Sequence, residues 1–179
     1  MKFTKTLIKD LYIIELDKHE DERGFFARLF CSQESKAYNL NTNIVQANMS
    51  YSKKKGTLRG LHYQVKPYAE AKFFRCIQGS LFDVVIDTRP DSPTYKQWFS
   101  IELSQENRKM LYVPAECAHG FLTLEDNTEA MYMVTNFYNK ESEKQIRFND
   151  KAFNIPWPIP IATISVKDAN IKDFEEVSS

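Results

Sequence analysis

Gly56-Thr57-Leu58-Arg59-Gly60-Leu61-His62-Tyr63-Gln64, then Val65-Lys66-Pro67-Tyr68-Ala69-Glu70, then Ala71-Lys72-Phe73-Phe74-Arg75-Cys76-Ile77-Gln78-Gly79, is the stretch that decides both fold and chemistry. In it Arg59, His62, Gln64, Lys72 and Arg75 interleave with Leu58, Leu61, Tyr63, Phe73, Phe74 and Ile77. That spacing predicts two strands, each with one polar and one apolar face. On a strict period of two, Arg59 and His62 fall on opposite faces. A bulge is therefore expected at Gly60, since an isolated glycine in a strand often marks one. With the bulge, a histidine, a guanidinium and a lysine converge on one sheet face. Imidazole is the side chain suited to proton transfer near neutral pH, and two cations beside it can hold an anion. The combination suits a sugar phosphate and an enolate.

Outward from this stretch the chain reads as strand after strand. An opening strand is expected over Leu7–Leu16, another over Phe25–Phe30 after the polar turn Asp21-Glu22-Arg23-Gly24, and a third over Val45–Tyr51. Ser32 is placed to cap a short helix through Asn39, with Glu34 favourable in its first turn. Further strands are predicted at Leu81–Asp87, Lys96–Leu103, Lys109–Val113, His119–Leu124 and Glu129–Phe137, with Glu125-Asp126-Asn127 as a hairpin turn. Short strands at this spacing mean a sandwich or barrel, and closure shields the apolar edges. The three prolines of Ile155-Pro156-Trp157-Pro158-Ile159-Pro160 forbid a central strand or a helix, so an extended arm draped over the barrel is expected. Asp168 is placed to cap a last helix through Glu176.

The 179 residues carry 24 Lys and Arg against 24 Asp and Glu, so no global charge points to nucleic acid or membrane. Three widely spaced cysteines without a CxxC pattern, no apolar signal segment and no run long enough to span a bilayer fit a reduced, cytoplasmic, soluble protein.

Of the chemistry-bearing residues, His62 is the sharpest. A lone strand histidine is ordinarily structural, but Arg59, Gln64 and Lys72 around it favour general-base chemistry. His119, in Ala118-His119-Gly120-Phe121, raises a metal site. The His-x-His pair with a following carboxylate expected of a barrel metal enzyme is missing, because Tyr63 and Gln64 follow His62. Tyr132 lies in the otherwise apolar Met131-Tyr132-Met133-Val134 and is either a core tyrosine or a proton donor facing His62. Lys72 is a surface cation or an oxyanion partner. Asp168 is the helix cap or the carboxylate that orients the His62 imidazole.

Many of these segments, in order, resemble the dTDP-4-dehydrorhamnose 3,5-epimerase family of cupin-type sugar-nucleotide epimerases. The resemblance is carried by Asp21-Glu22-Arg23-Gly24-Phe25-Phe26, Gln46-Ala47-Asn48, the 56–64 stretch, Ala71-Lys72, Asp87-Thr88-Arg89, Asp91-Ser92-Pro93-Thr94-Tyr95, Ala118-His119-Gly120-Phe121, Ile155-Pro156-Trp157-Pro158 and Ser165-Val166-Lys167-Asp168. It implies an all-β double-stranded β-helix, the cupin jelly roll, with a few short peripheral helices. The length itself favours a single domain over residues 1–179, with the C-terminal arm covering residues 150–179, and the resemblance implies a homodimer exchanging N-terminal strands and neither metal nor organic cofactor. The implied reaction inverts C3 and C5 of a dTDP-linked 4-keto-6-deoxyglucose. By the same resemblance His62 is the base, Asp168 its partner, Tyr132 the opposite-face acid and Lys72 the enolate's cation. Arg23, Gln46, Asn48, Arg59, His119, Glu143 and Lys167 then hold the nucleotide sugar, some across the dimer. The chain departs from the family pattern at Arg28, a cation where a ligand-touching carboxylate is usual, and at Glu116-Cys117. A single-centre epimerase or ketoisomerase on a CDP- or GDP-linked 4-keto sugar and a non-catalytic sugar-binding cupin are the competing readings.

Overall fold

The computed structural model describes residues 1–174. In chain order it contains β1 (Lys2–Lys5), β2 (Tyr12–Glu15), β3 (Lys18–Asp21), β4 (Gly24–Ala27), helix α1 (Ser32–Lys36), β5 (Gln46–Ser52), β6 (Thr57–Gln64) and β7 (Lys72–Gln78). It continues with β8 (Ser80–Asp87), β9 (Trp98–Ser104), β10 (Met110–Val113), β11 (Cys117–Thr123), β12 (Thr128–Val134), β13 (Glu143–Gln145), β14 (Thr163–Ile164) and helix α2 (Val166–Ala169). Two sheets form, ordered β1-β2-β10-β7-β12-β5 and β13-β6-β11-β8-β9, with β14 parallel to β6 and β3–β4 standing apart as a hairpin. This is the expected jelly roll.

The alternation of each strand explains why the sheets face each other. Phe74 and Cys76 of β7, Leu111 and Val113 of β10, Cys117 and Phe121 of β11 and Leu81 and Val85 of β8 meet in one buried cluster between the sheets. The residues that alternate with them point outward. Phe73 joins Tyr112, Tyr12, Met110 and Leu40 behind the first sheet. Leu61, Val84, Ile86 and Ala118 are covered behind the second by Phe153, Ile155, Trp157 and Phe174 of the C-terminal arm. Trp157 packs edge-on against Phe82 with centroids 6.0 Å apart and donates its indole N–H to the Phe148 carbonyl at 2.8 Å. Burial of so many aromatic and aliphatic side chains is what stabilises the arm, each contributing roughly 1.5–3 kcal/mol when fully buried.

Several expectations need correction. The segment expected to be one opening strand is two, because a turn at residues 6–11 swings Ile8 and Leu11 into the core as plugs, 1% and 0% exposed. The strand expected to run to Phe30 ends at Ala27. Helix α1 is shorter than expected: Cys31, not Ser32, sits at its N-cap without a side-chain bond, and Asn39 at φ 59° ends the turn that follows. Ser165, not Asp168, caps α2, its hydroxyl accepting from the Asp168 N–H at 3.0 Å. The expected last stretch of that helix, residues 175–176, lies outside the described residues. The Glu125–Asn127 turn is no hairpin, since β11 and β12 belong to different sheets. Arg75, grouped with the polar face above, points away from Lys72 on β7, paired in register with Met110. It is 5% exposed, and burial, then the charge of Arg108, lowers its pKa.

Candidate active site

The bulge expected at Gly60 is present. Across β6 and β11, His119 pairs with His62 and Phe121 with Arg59, so two residues of β11 span three of β6. The extra residue turns Arg59 and His62 to the same, interior face. Only glycine fits there: φ is +107°, and a Cβ at Gly60 would sit 2.7 Å from both the Gly120 Cα and the His119 carbonyl.

His62, so aimed, enters a cavity of about 650 Å³, which Arg59, Lys72, His119, Tyr132 and Asp168 also line. The arm delivers Asp168. β14 pairs with the start of β6, α2 follows, and Asp168 Oδ1 comes within 2.6 Å of His62 Nε2. Burial works against the Asp168 charge, but the bond to His62, the His62 charge, Ser165 and the Gly60 N–H together hold its carboxyl below the usual carboxylate range. An ionised Asp168 accepts from Nε2–H, which leaves Nδ1 as the basic nitrogen of the ring.

Lys72 enters from β7. Its ammonium donates to the His62 carbonyl at 3.3 Å and lies 3.4 Å from Glu70 Oε1. Tyr132 enters from β12, in the opposite sheet to His62, tilted against Phe74 at 5.9 Å. Burial, then the Glu70 charge, pushes its phenol up, opposed by Arg59. His62 and Tyr132 thus approach one space from two sheets. A base, an acid and a cation arranged around one cavity can take a proton from a carbon beside a ketone, hold the enolate and return a proton from another side.

The remaining residues divide. Arg59 is anchored by the Ser52 hydroxyl at 3.1 Å and the Tyr51 carbonyl at 2.8 Å. His119 is backed by Asp83 at 2.9 Å. Glu143 binds Lys167 at 2.6 Å and accepts from Tyr138 at 3.2 Å. Burial opposes the Glu143 charge, but Lys167, His62 and Tyr138 hold its carboxyl low, and Glu143 in turn raises Lys167. Gln46 and Asn48 do not line the cavity, but Asn48 pairs directly with Tyr132 and shares its face. Arg23 and Arg28 are not brought to the cavity of their own chain. Arg23 pairs with Asp21 at the tip of the β3–β4 hairpin, and Arg28 with Glu34 at 2.8 Å. Glu34 also holds the N-terminal ammonium at 2.8 Å.

Sequence reasoning missed Glu70, Asp83 and Tyr138. Asp83 had a usable signal, a lone charge inside the apolar run Leu81-Phe82-Asp83-Val84-Val85; the other two did not. Among the described residues no three His, Cys, Asp or Glu side chains gather as a metal-holding group. No helix there is long and apolar enough to cross a membrane.

Known proteins resemble this chain over nearly its whole length. The family model described as dTDP-4-dehydrorhamnose 3,5-epimerase matches residues 5–176. The chain is 43% identical over 175 residues to the dTDP-4-dehydrorhamnose 3,5-epimerase of Shigella flexneri, covering 97% of this chain and 96% of the relative. It is similar to the crystal structure of the enzyme of that name from Elizabethkingia anophelis, with TM-score 0.93, 43% identity and coverage of 97% and 96%. It is also similar to a dTDP-6-deoxy-D-glucose-3,5-epimerase from Legionella pneumophila, solved in complex with dTDP-4-keto-L-rhamnose, with TM-score 0.87, 38% identity and coverage of 94% and 89%.

Proposed function

Because the chain belongs to the dTDP-4-dehydrorhamnose 3,5-epimerase family, we propose a division of labour in its cavity in which His62 is the base, Tyr132 the acid and Lys72 the enolate's partner. The protein is an isomerase of rhamnose biosynthesis that converts dTDP-4-dehydro-6-deoxy-D-glucose to dTDP-4-dehydro-L-rhamnose by inverting C3 and C5. The observation that carries the residue roles is the single cavity lined by His62 with its Asp168 partner, Lys72 and Tyr132.

The C4 ketone acidifies the C–H bonds on both sides of it. His62 Nδ1 takes the proton, the C–H electron pair moves into the C–C bond, and the carbonyl pair moves onto oxygen as an enolate. Asp168 stabilises the imidazolium, and the Lys72 ammonium stabilises the enolate. Tyr132 then gives its O–H proton to the opposite face of the same carbon, and the ketone re-forms with inverted configuration. The imidazolium loses its proton and the phenolate regains one by exchange with solvent, which resets the site for the second carbon. Acid and base groups each supply typically about 10²–10⁴-fold, and an oxyanion donor about 10²–10³-fold.

Arg59, His119 and Lys167 supply positive or donor groups for the sugar and diphosphate, with Glu143 fixing Lys167. The chain acts as a homodimer in the cytoplasm. The β3–β4 hairpin is exposed at every residue of its strands but Ala27, with Phe26 73% exposed and Arg23 at its tip, and it is the element suited to reach a second subunit. Arg28, Gln46 and Asn48 then belong to the ligand's outer rim.

Incubation with the dTDP-linked 4-keto sugar in deuterated water tests the reaction. Deuterium at both C3 and C5, lost with His62→Ala, is the expected result. Label at one carbon alone assigns a single-centre epimerase, and no label from wild type assigns a binding module.

A further inference from the structure

Glu70 stands two residues before Lys72, in the segment leading into β7, with its side chain 12% exposed. Its two carboxylate oxygens are divided between two partners. Oε1 lies 3.4 Å from Lys72 Nζ, and Oε2 accepts from Gln64 Nε2 at 3.0 Å. Gln64 is itself fixed: its amide oxygen accepts from the Asn139 N–H at 2.6 Å, and its nitrogen also reaches the Phe137 carbonyl at 3.1 Å. The carboxylate is therefore held by β6 and by the loop after β12.

An ammonium on a four-carbon stem is a rotatable point charge with three donors. At Lys72 one donor is directed to the His62 carbonyl, and the Glu70 carboxylate faces the ammonium as an ion pair at 3.4 Å, both acceptors being tied to β6. The rest of the ammonium is left for the cavity. We propose that Glu70 is a positioning residue that aims the remaining Lys72 N–H at the enolate oxygen. This rests on the role given to Lys72 above. Glu70 has a second effect in the same space. The charged or titratable groups lining the cavity with Tyr132 are Glu70, Lys72 on β7, Tyr51 on β5, Arg59, His62 and Tyr63 on β6, His119 on β11, Tyr138, Glu143 on β13, and Lys167 and Asp168 on α2. Of these Glu70 holds the phenol up, second only to burial.

The test compares wild type, Glu70→Gln, Glu70→Asp, Lys72→Met and the Glu70→Gln/Lys72→Met double variant. The readouts are kcat and KM across pH, deuterium wash-in and thermal stability. Glu70→Gln keeps the size of the side chain but removes the charge. Its kcat is expected to fall about 10- to 100-fold, the scale of a misaimed group, with KM changed less than about threefold. Its alkaline limb in kcat is expected to move to lower pH, because the phenol loses the charge that keeps it protonated. Glu70→Asp keeps the charge at shorter reach and should restore the limb but not the full rate. In the Lys72→Met background, Glu70→Gln should cost no further rate. A Glu70→Gln enzyme with unchanged kcat, an unmoved limb, or a rate loss tracking a fall in Tm alone overturns the proposal while a disabled Lys72→Met leaves the Lys72 role intact. A Lys72→Met enzyme with wild-type exchange overturns that role and the proposal with it.

Discussion

Asp168→Asn removes a charge from a short polar contact of the cavity, 2.6 Å between His62 Nε2 and Asp168 Oδ1. The Asp168 side chain is 7% exposed and the His62 side chain 32%, so water screens the pair only partly. Unit charges about 4 Å apart attract by about 4 kcal/mol at an effective dielectric of ~20. Allowing for screening at the partly exposed ring leaves about 2–4 kcal/mol acting on the imidazolium formed in the transition state, or about 30- to 1,000-fold in kcat. The amide adds a second fault. If it turns its NH₂ toward Nε2, the ring proton moves to Nδ1 and the basic lone pair is lost. The fold should survive, because Ser165 caps α2 through the Asp168 backbone N–H. The assay is turnover of the dTDP-linked 4-keto sugar with deuterium wash-in at each carbon, followed by NMR. Both rates should fall together, with KM little changed. A variant within about threefold of wild type in kcat would refute the assignment of His62 as a base made effective by Asp168.

Gly60→Ala should destabilise the protein by about 3 kcal/mol or more, a fall in Tm of about 8 °C, because it adds backbone strain and forces a Cβ against the β11 backbone. A Tm within about 2 °C of wild type would show that β6 does not depend on this bulge. Asp87 governs part of the acid limit. Burial raises its carboxyl, but Arg89, Ser92 and Thr94 outweigh it and hold the group at about 2. The folded value lies below the unfolded one of about 3.9, so this stabilisation, about 2 kcal/mol, is complete above about pH 4 and lost as pH falls toward 2. Urea unfolding between pH 5 and 2.5 should therefore show a flatter pH dependence for Asp87→Asn than for wild type, and parallel curves would contradict it.

Where sequence reasoning reached the structure, it did so through local rules. Alternation in residues 56–79 is a property of the pleat, and the need to bring Arg59 and His62 to one face requires one extra residue wherever glycine permits it. Where it failed, the deciding contact came from far along the chain. Leu7 to Leu16 alternates well enough for a strand, but Ile8 and Leu11 are worth more as plugs in the barrel core than as ladder residues. Glu125-Asp126-Asn127 has the composition of a hairpin turn, and only the placing of β11 and β12 in different sheets makes it a crossover. Arg75 looks like part of the polar face until strand register sets it opposite Met110.

The sequence by itself determined that short alternating strands would close into a barrel, that Gly60 would carry a bulge, and that an imidazole, a guanidinium and an ammonium would share one face. These follow from side-chain periodicity and backbone sterics within a few residues. Only the tertiary structure decided that Asp168, 106 residues from His62, serves the imidazole rather than a helix end, and that Tyr132 reaches the same cavity from the other sheet. It also decided that Glu70 holds Lys72. Hydrogen bonds and charges act over a few ångströms of space, and how the C-terminal arm packs onto the second sheet is not written in the spacing of residues along the chain.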